Sequence, residues 1–134
     1  GDVDRCDGKM LATLIGEDVV PVMAPLTHDK EGHLLNTNAD TIAGETAKAL
    51  APYFDVTLIY SFEHAGVLTD PDDETSVIPH ITTESFEQVK ADGTVSGGMI
   101  PKIENALEAV KAGVKRVIIT KADAIDGRQG TIIS

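Results

Sequence analysis

Two short runs hold the residue types that could do chemistry: Asn36-Thr37-Asn38-Ala39-Asp40, and Ser96-Gly97-Gly98-Met99-Ile100-Pro101-Lys102. The second sets two glycines before a helix and a lysine just inside it. Pro101 fixes where that helix starts, because the missing N–H of proline is harmless only in a first turn. Gly97 and Gly98 therefore lie at or before the cap, where a backbone without Cβ lets a bulky anion approach its amides. Helical side chains lean toward the N-terminus, so Lys102 can swing back over the same point. Amide donors, a helix N-terminus and a mobile cation suit a triphosphate. The plain alternative is a glycine-rich loop joining two helices, with an ordinary surface lysine.

The first run puts two amides and a carboxylate in the turn that opens another helix. Asparagine can donate to a carboxylate ligand while accepting from backbone amides. Asp40 falls in the first helical turn, where the helix dipole complements a carboxylate. There it could orient nearby ammonium groups without acting as a base. Simple capping by Asn38 or Asp40 is the competing reading.

Other chemistries lack their patterns. The G-x-x-x-x-G-K-[ST] spacing of a P-loop is absent, and no G-x-G-x-x-G follows a strand. The acidic turn Asp70-Pro71-Asp72-Asp73-Glu74 lacks the alternation of a calcium loop and reads as a solvated turn. His28, His33, His64 and His80 show no zinc spacing, so no protein-held metal is expected. No G-x-S-x-G elbow occurs, and Cys6 reads as an incidental thiol.

Composition narrows the partners. The 134 residues suffice for one domain with a real core. With 4% aromatic residues and no Trp, that core must rest on Ile, Leu, Val and Ala. A formal net charge of -11 disfavours nucleic acid and anionic membrane as partners, while a local site for a small anion stays open. The single cysteine excludes an internal disulfide and fits a reducing cytoplasm. No apolar run approaches the ~20 residues of a membrane span, and no signal peptide opens the chain. The opening Gly1-Asp2-Val3, without Met, reads as a cut rather than a beginning.

The elements that must position the two runs alternate between helix and strand. Met10, Leu11, Leu14 and Ile15 share a helix face, capped by Asp7 and stopped by Gly16. The run Val19 to Ala24 predicts a strand buried on both faces. His28 to His33 predicts a hairpin turn. A helix follows from about Ala39 to Leu50, then a buried strand over Val56 to Tyr60. Gly66-Val67-Leu68 and Val77 to Ile81 flank the acidic turn as strands that can pair. Glu84 to Ala91 predicts a short helix, and a longer one starts near Met99 and stops at Gly113. Val117 to Thr120 and Gly130 to Ile133 predict the last strands. The pattern is a three-layer α/β/α sandwich with a mainly parallel sheet.

These runs and the segments around them resemble the acetylglutamate kinase branch of the amino acid kinase family. The likeness passes through Val20 to Pro25, Asn36 to Asp40, Gly66-Val67-Leu68, Ser96 to Leu107 and Gly130 to Ile133, in the family's order. It implies a carboxylate kinase of arginine biosynthesis: the side-chain carboxylate of an N-acyl-L-glutamate, acetyl or succinyl, attacks the γ-phosphate of ATP. It further implies that Asn36 holds the substrate's α-carboxylate with Asn38 nearby. Asp40 would orient the catalytic lysines, and Lys102 would neutralise charge on the transferring phosphoryl. Ser61, Gly66, Val67, Leu68, Ser96, Gly97, Gly98 and Met99 would line the nucleotide site, with Mg²⁺ carried mainly by the phosphates. A homo-oligomer is implied as well.

One segment departs from the family pattern. Ser61 to Leu68 is one residue longer than Thr/Ser-Asp-Val-x-Gly-Val-Leu and lacks the Asp after Ser61, which leaves the adenosine contacts open. The likeness covers only the family's C-terminal, nucleotide-binding portion, so residues 1–134 are expected to lack the substrate-binding half. By itself the chain should then bind ATP weakly and show no turnover. Runner-up readings are a sibling carboxylate or carbamate kinase and a non-catalytic ligand-binding module of the same fold.

Overall fold

The computed structural model describes residues 1–134. Helix α1 (Gly8–Gly16) is capped by Asp7, whose carboxylate accepts from Met10 N at 3.0 Å. A two-stranded antiparallel hairpin, β1 (Leu26–His28) and β2 (Leu34–Asn36), leads into α2 (Ala39–Leu50). Strand β3 (Thr57–Phe62) follows, then β4 (His80–Ile81), α3 (Thr83–Ala91) and α4 (Met99–Lys111). Strands β5 (Arg116–Lys121) and β6 (Thr131–Ile133) complete the chain.

The main sheet has the order β3-β5-β6-β4. Strands β3 and β5 run parallel, as do β4 and β6, while β5 and β6 are antiparallel. The result is an α/β fold with a mostly parallel sheet. Residues 122–130 are too few for the dozen or more that a parallel crossover needs, so β6 returns antiparallel to β5. The helices form a continuous layer: α1 lies on α2, α2 on α4, and α3 on α4. Helix α2 packs on β3, and α4 packs on β5 and β6.

The core sits between that layer and the sheet. Ile103, Ala106 and Leu107 of α4 meet Val117 and Ile119 of β5, Ile133 of β6 and Tyr60 of β3. Gly66-Val67-Leu68 and the segment opposite do meet, through a Leu68–Val77 bridge and a bond from Ile78 N to Val67 O at 2.8 Å.

Two expectations are corrected. Val19 to Ala24 forms no strand, and Val20 and Val22 are 84% and 93% exposed. No strand of the chain pairs with this run, and a lone extended segment has no partner for its backbone groups. Its Met23 lines a groove of about 320 Å³ between α2 and β3. Strand β3 is also less buried than its sequence predicts. It is the edge of the sheet, paired on one side only, and Tyr60 alone is fully covered.

Candidate functional site

Residues 36–38 take their geometry from Thr37. Its side chain is buried, with Oγ1 2.8 Å from Thr27 Oγ1, and its N–H donates to Pro25 O at 3.0 Å. Extended backbone alternates its side chains, so fixing Thr37 inward turns Asn36 and Asn38 outward. Both are exposed. Asn38 is the N-cap of α2, with Oδ1 accepting from Thr41 N at 3.1 Å. The capping role is thus real. It uses only the carbonyl end of that amide, and the Nδ2 donors stay free. The Asn36 side chain forms no hydrogen bond within the chain.

The head of α4 is open. Gly97 takes a left-handed backbone (φ +58°), and Gly98 is the cap with no side-chain bond to the helix. Ile100 N donates to Gly97 O at 3.3 Å, whereas the amides of Gly97, Gly98 and Met99 donate to nothing in the chain. A Cβ built on either glycine would meet no atom within 4 Å. Three unpaired donors at a helix N-terminus can receive an anion.

Packing of α2 against α4 brings the two helix starts together, and with them the two groups the sequence marks as catalytic. Lys102 Nζ donates to Asp40 Oδ2 at 2.7 Å. The pair is partly exposed, with 23% of the Lys102 side chain and 38% of the Asp40 side chain accessible. Residues that sequence reading missed complete the surroundings. Tyr60 donates its hydroxyl to Asp40 O at 3.2 Å, and Lys102 Nζ lies 5.9 Å from the Tyr60 ring centroid and 5.5 Å from that of Phe62. Burial, and then the charge of Asp40, push the Tyr60 hydroxyl up to about 12, which keeps it a donor. Only the alternation of β3, which sets residues 60 and 62 on one face, could have signalled this pair.

The proposed nucleotide residues divide in two. Ser61, Ser96, Gly97 and Gly98 are exposed and Met99 is half-buried. Gly66, Val67 and Leu68 lie in the interior, with Val67 N donating to Thr131 Oγ1 at 2.8 Å.

The acidic turn is more than a solvated loop. Glu74 receives His64 Nδ1 at 2.5 Å, Ala65 N at 3.3 Å and Lys121 Nζ at 3.2 Å. The His64 bond first, then the Ala65 amide, hold its carboxyl down to about 2. A depressed carboxyl stabilises the fold above its unfolded pKa, and that stabilisation is lost as pH falls toward the folded value. Wild type should therefore outlast Glu74→Gln in urea at pH 6. The gap between their midpoints should close between about pH 4.5 and pH 2; a gap unchanged at pH 2 would contradict this account. At the hairpin tip, ligand atoms of Asp29, Glu31 and His33 lie within 4.8 Å of one another, all exposed. The Asp29 carboxylate is already spent there on the amides of Glu31 and His33 and on the His33 ring. No helix is long and apolar enough to cross a membrane.

Comparison with known proteins gives a consistent set of likenesses. The model of the amino acid kinase family matches residues 1–121. An acetylglutamate kinase of Bacteroides thetaiotaomicron is 62% identical over 133 residues, which is 99% of this chain and 52% of that protein. One from Parabacteroides distasonis is 57% identical over 131 residues, covering 98% of this chain and 51% of its own length. The chain thus spans about half the length of the curated relatives it matches. Among solved structures, N-acetylglutamate synthase from Neisseria gonorrhoeae superposes with a TM-score of 0.83 at 21% identity. The superposition covers 100% of this chain and 32% of that one, and it speaks to the fold alone.

Proposed function

This chain belongs to the amino acid kinase family, and we propose that the full-length protein transfers the γ-phosphoryl of ATP to the side-chain carboxylate of N-acetyl-L-glutamate. The observation that carries the reading is the Lys102–Asp40 pair at the joined heads of α2 and α4. The name of the relatives at 57–62% identity supports the substrate. Residues 1–134 would be its C-terminal, nucleotide-binding portion.

In the proposed reaction a substrate carboxylate oxygen forms the new bond to the γ-phosphorus as the bond to the β-phosphate oxygen breaks. The products are an acyl phosphate and ADP. Such a transfer asks the protein for positioning and charge stabilisation more than for covalent chemistry. The free amides of Gly97, Gly98 and Met99 take phosphate oxygens, and Lys102 balances the charge that develops during transfer. Asp40 acts as the orienter of Lys102. Exposed Ser61 and Ser96 offer hydroxyls to the nucleotide, and the interior Gly66-Val67-Leu68 fixes the strand ends beneath it. Mg²⁺ would arrive on the phosphates, since the one carboxylate within the cluster, Asp40, already spends Oδ2 on Lys102.

Asn36 would donate its side-chain amide to the α-carboxylate of the acylglutamate, with Asn38 Nδ2 nearby. Asn36→Ala should then weaken acylglutamate binding by about 1–3 kcal/mol while leaving ATP binding nearly intact. Calorimetric titration of the full-length protein with each ligand tests this. Equal losses for both ligands would make Asn36 a structural residue and remove it from the site.

A further inference from the structure

We propose that Tyr60 and Phe62 form an aromatic seat that fixes the Lys102 ammonium beside Asp40, making both positioning residues for the transfer. The inference rests on the kinase reading for its catalytic consequence and on geometry for the seat itself. A lysine head on a four-carbon stem is a mobile point charge. Its ion pair with Asp40 is partly open to water, and such pairs restrain little on their own. The two ring faces supply what the pair lacks. Both centroids lie within the ~6 Å over which a ring quadrupole attracts an ammonium.

The seat is itself braced on two sides. Tyr60 is 5% exposed and bonded through its hydroxyl to the backbone carbonyl of Asp40, so one residue ties the ring to the carboxylate's own helix. The Phe62 ring meets the His64 ring edge-on, with centroids 5.6 Å apart. His64 is in turn held by Glu74, whose other partners are the Ala65 amide and Lys121. Phe62 and Lys121 are register partners at the ends of β3 and β5. A line of contacts therefore runs from the acidic turn through His64 and Phe62 to the ammonium. Ordinary core packing would account for Tyr60, which is buried in the main cluster. Phe62 also packs against that cluster, and core packing alone does not account for the cation and the histidine ring that meet its remaining, partly exposed sides.

The test uses the full-length protein and two independent readouts. NMR of the Lys102 εCH₂ protons should show an upfield ring-current displacement in wild type that shrinks in Phe62→Leu and persists in Phe62→Tyr. Steady-state kinetics should show kcat falling about 3–10-fold in Phe62→Leu, with KM for ATP within about twofold and with Phe62→Tyr recovering most of the loss. Unshifted εCH₂ protons in wild type would overturn the seat, whatever the variants do. Equal losses of kcat in Phe62→Leu and Phe62→Tyr would overturn the positioning role. A full-length protein with the ring-current signature and no phosphoryl transfer would keep the seat and sink the kinase reading instead.

Discussion

Lys102→Ala should lower kcat by about 10²–10³-fold, with a much smaller change in KM for ATP. The size follows from where the ammonium acts. On the proposed reading, ground-state phosphates would have three free amides at the head of α4, at Gly97, Gly98 and Met99. Their loss of one further cation is partly covered. Charge that develops on the transferring phosphoryl has no such reserve, because Lys102 is the cation held between the two helix starts. Removing it also strands the Asp40 carboxylate close to incoming phosphates, and that repulsion adds to the deficit. Lys102→Arg should recover only part of the loss: a guanidinium can still pair with Asp40 and stack on the rings, but its wide planar head does not put the charge where the compact ammonium puts it. Steady-state kinetics decide the matter. An unchanged kcat would remove Lys102 from the chemistry.

The largest effect on stability should come from Gly130→Ala, at about 2–5 kcal/mol. Gly130 sits at φ +102°, where an L side chain is strained by about 1–2 kcal/mol. A Cβ there would lie 2.3 Å from the Ile119 carbonyl oxygen and 2.7 Å from Thr120 Cβ. Ile119 and Thr120 belong to β5, the strand that α4 and β3 both pack upon, so the backbone cannot yield cheaply. Forcing atoms into such a place costs about 1–3 kcal/mol more. Gly16→Ala is the control, because its Cβ would meet nothing within 4 Å. Urea denaturation followed by circular dichroism should show a large fall in midpoint for Gly130→Ala and almost none for Gly16→Ala. Matching midpoints would mean that the β5–β6 connection relaxes more freely than its geometry allows.

Local signals were legible wherever the sequence carried its own punctuation. Asp7, Asn38 and Pro101 mark helix starts that the structure keeps, and the hairpin turn between His28 and His33 is where the polar run predicts it. Val117 to Thr120 is a buried strand, as its continuous apolar run requires. Failures came where burial depends on neighbours. An apolar run reports a demand for cover and says nothing of what supplies it. The demand is met for Val117 to Thr120 and unmet for Val20 and Val22. The edge position of β3 and the antiparallel return of β6 are properties of the sheet rather than of any segment.

The site divides along the same line. Asp40 and Lys102 are visible as residue types at helix starts, and helix packing brings them within 2.7 Å of each other. The alternation of β3 sets Tyr60 and Phe62 on one face, but that they meet Lys102 depends on the docking of α4 on the sheet, which no local spacing reports. Gly66-Val67-Leu68, expected to line the nucleotide, lies in the interior, where Val67 bonds through its N–H to Thr131 and through its carbonyl to Ile78.

The most direct test of the account is to supply the full-length protein with ATP, Mg²⁺ and N-acetyl-L-glutamate, and to measure ADP release alongside trapping of the product by hydroxylamine. An acyl phosphate reacts with hydroxylamine to give a hydroxamate, whereas a phosphate ester or free phosphate does not. The account predicts ADP release that depends on the acylglutamate, at about 1–100 s⁻¹, with one hydroxamate formed per ADP. ADP released at the same rate without acylglutamate, or released with no hydroxamate, would contradict it.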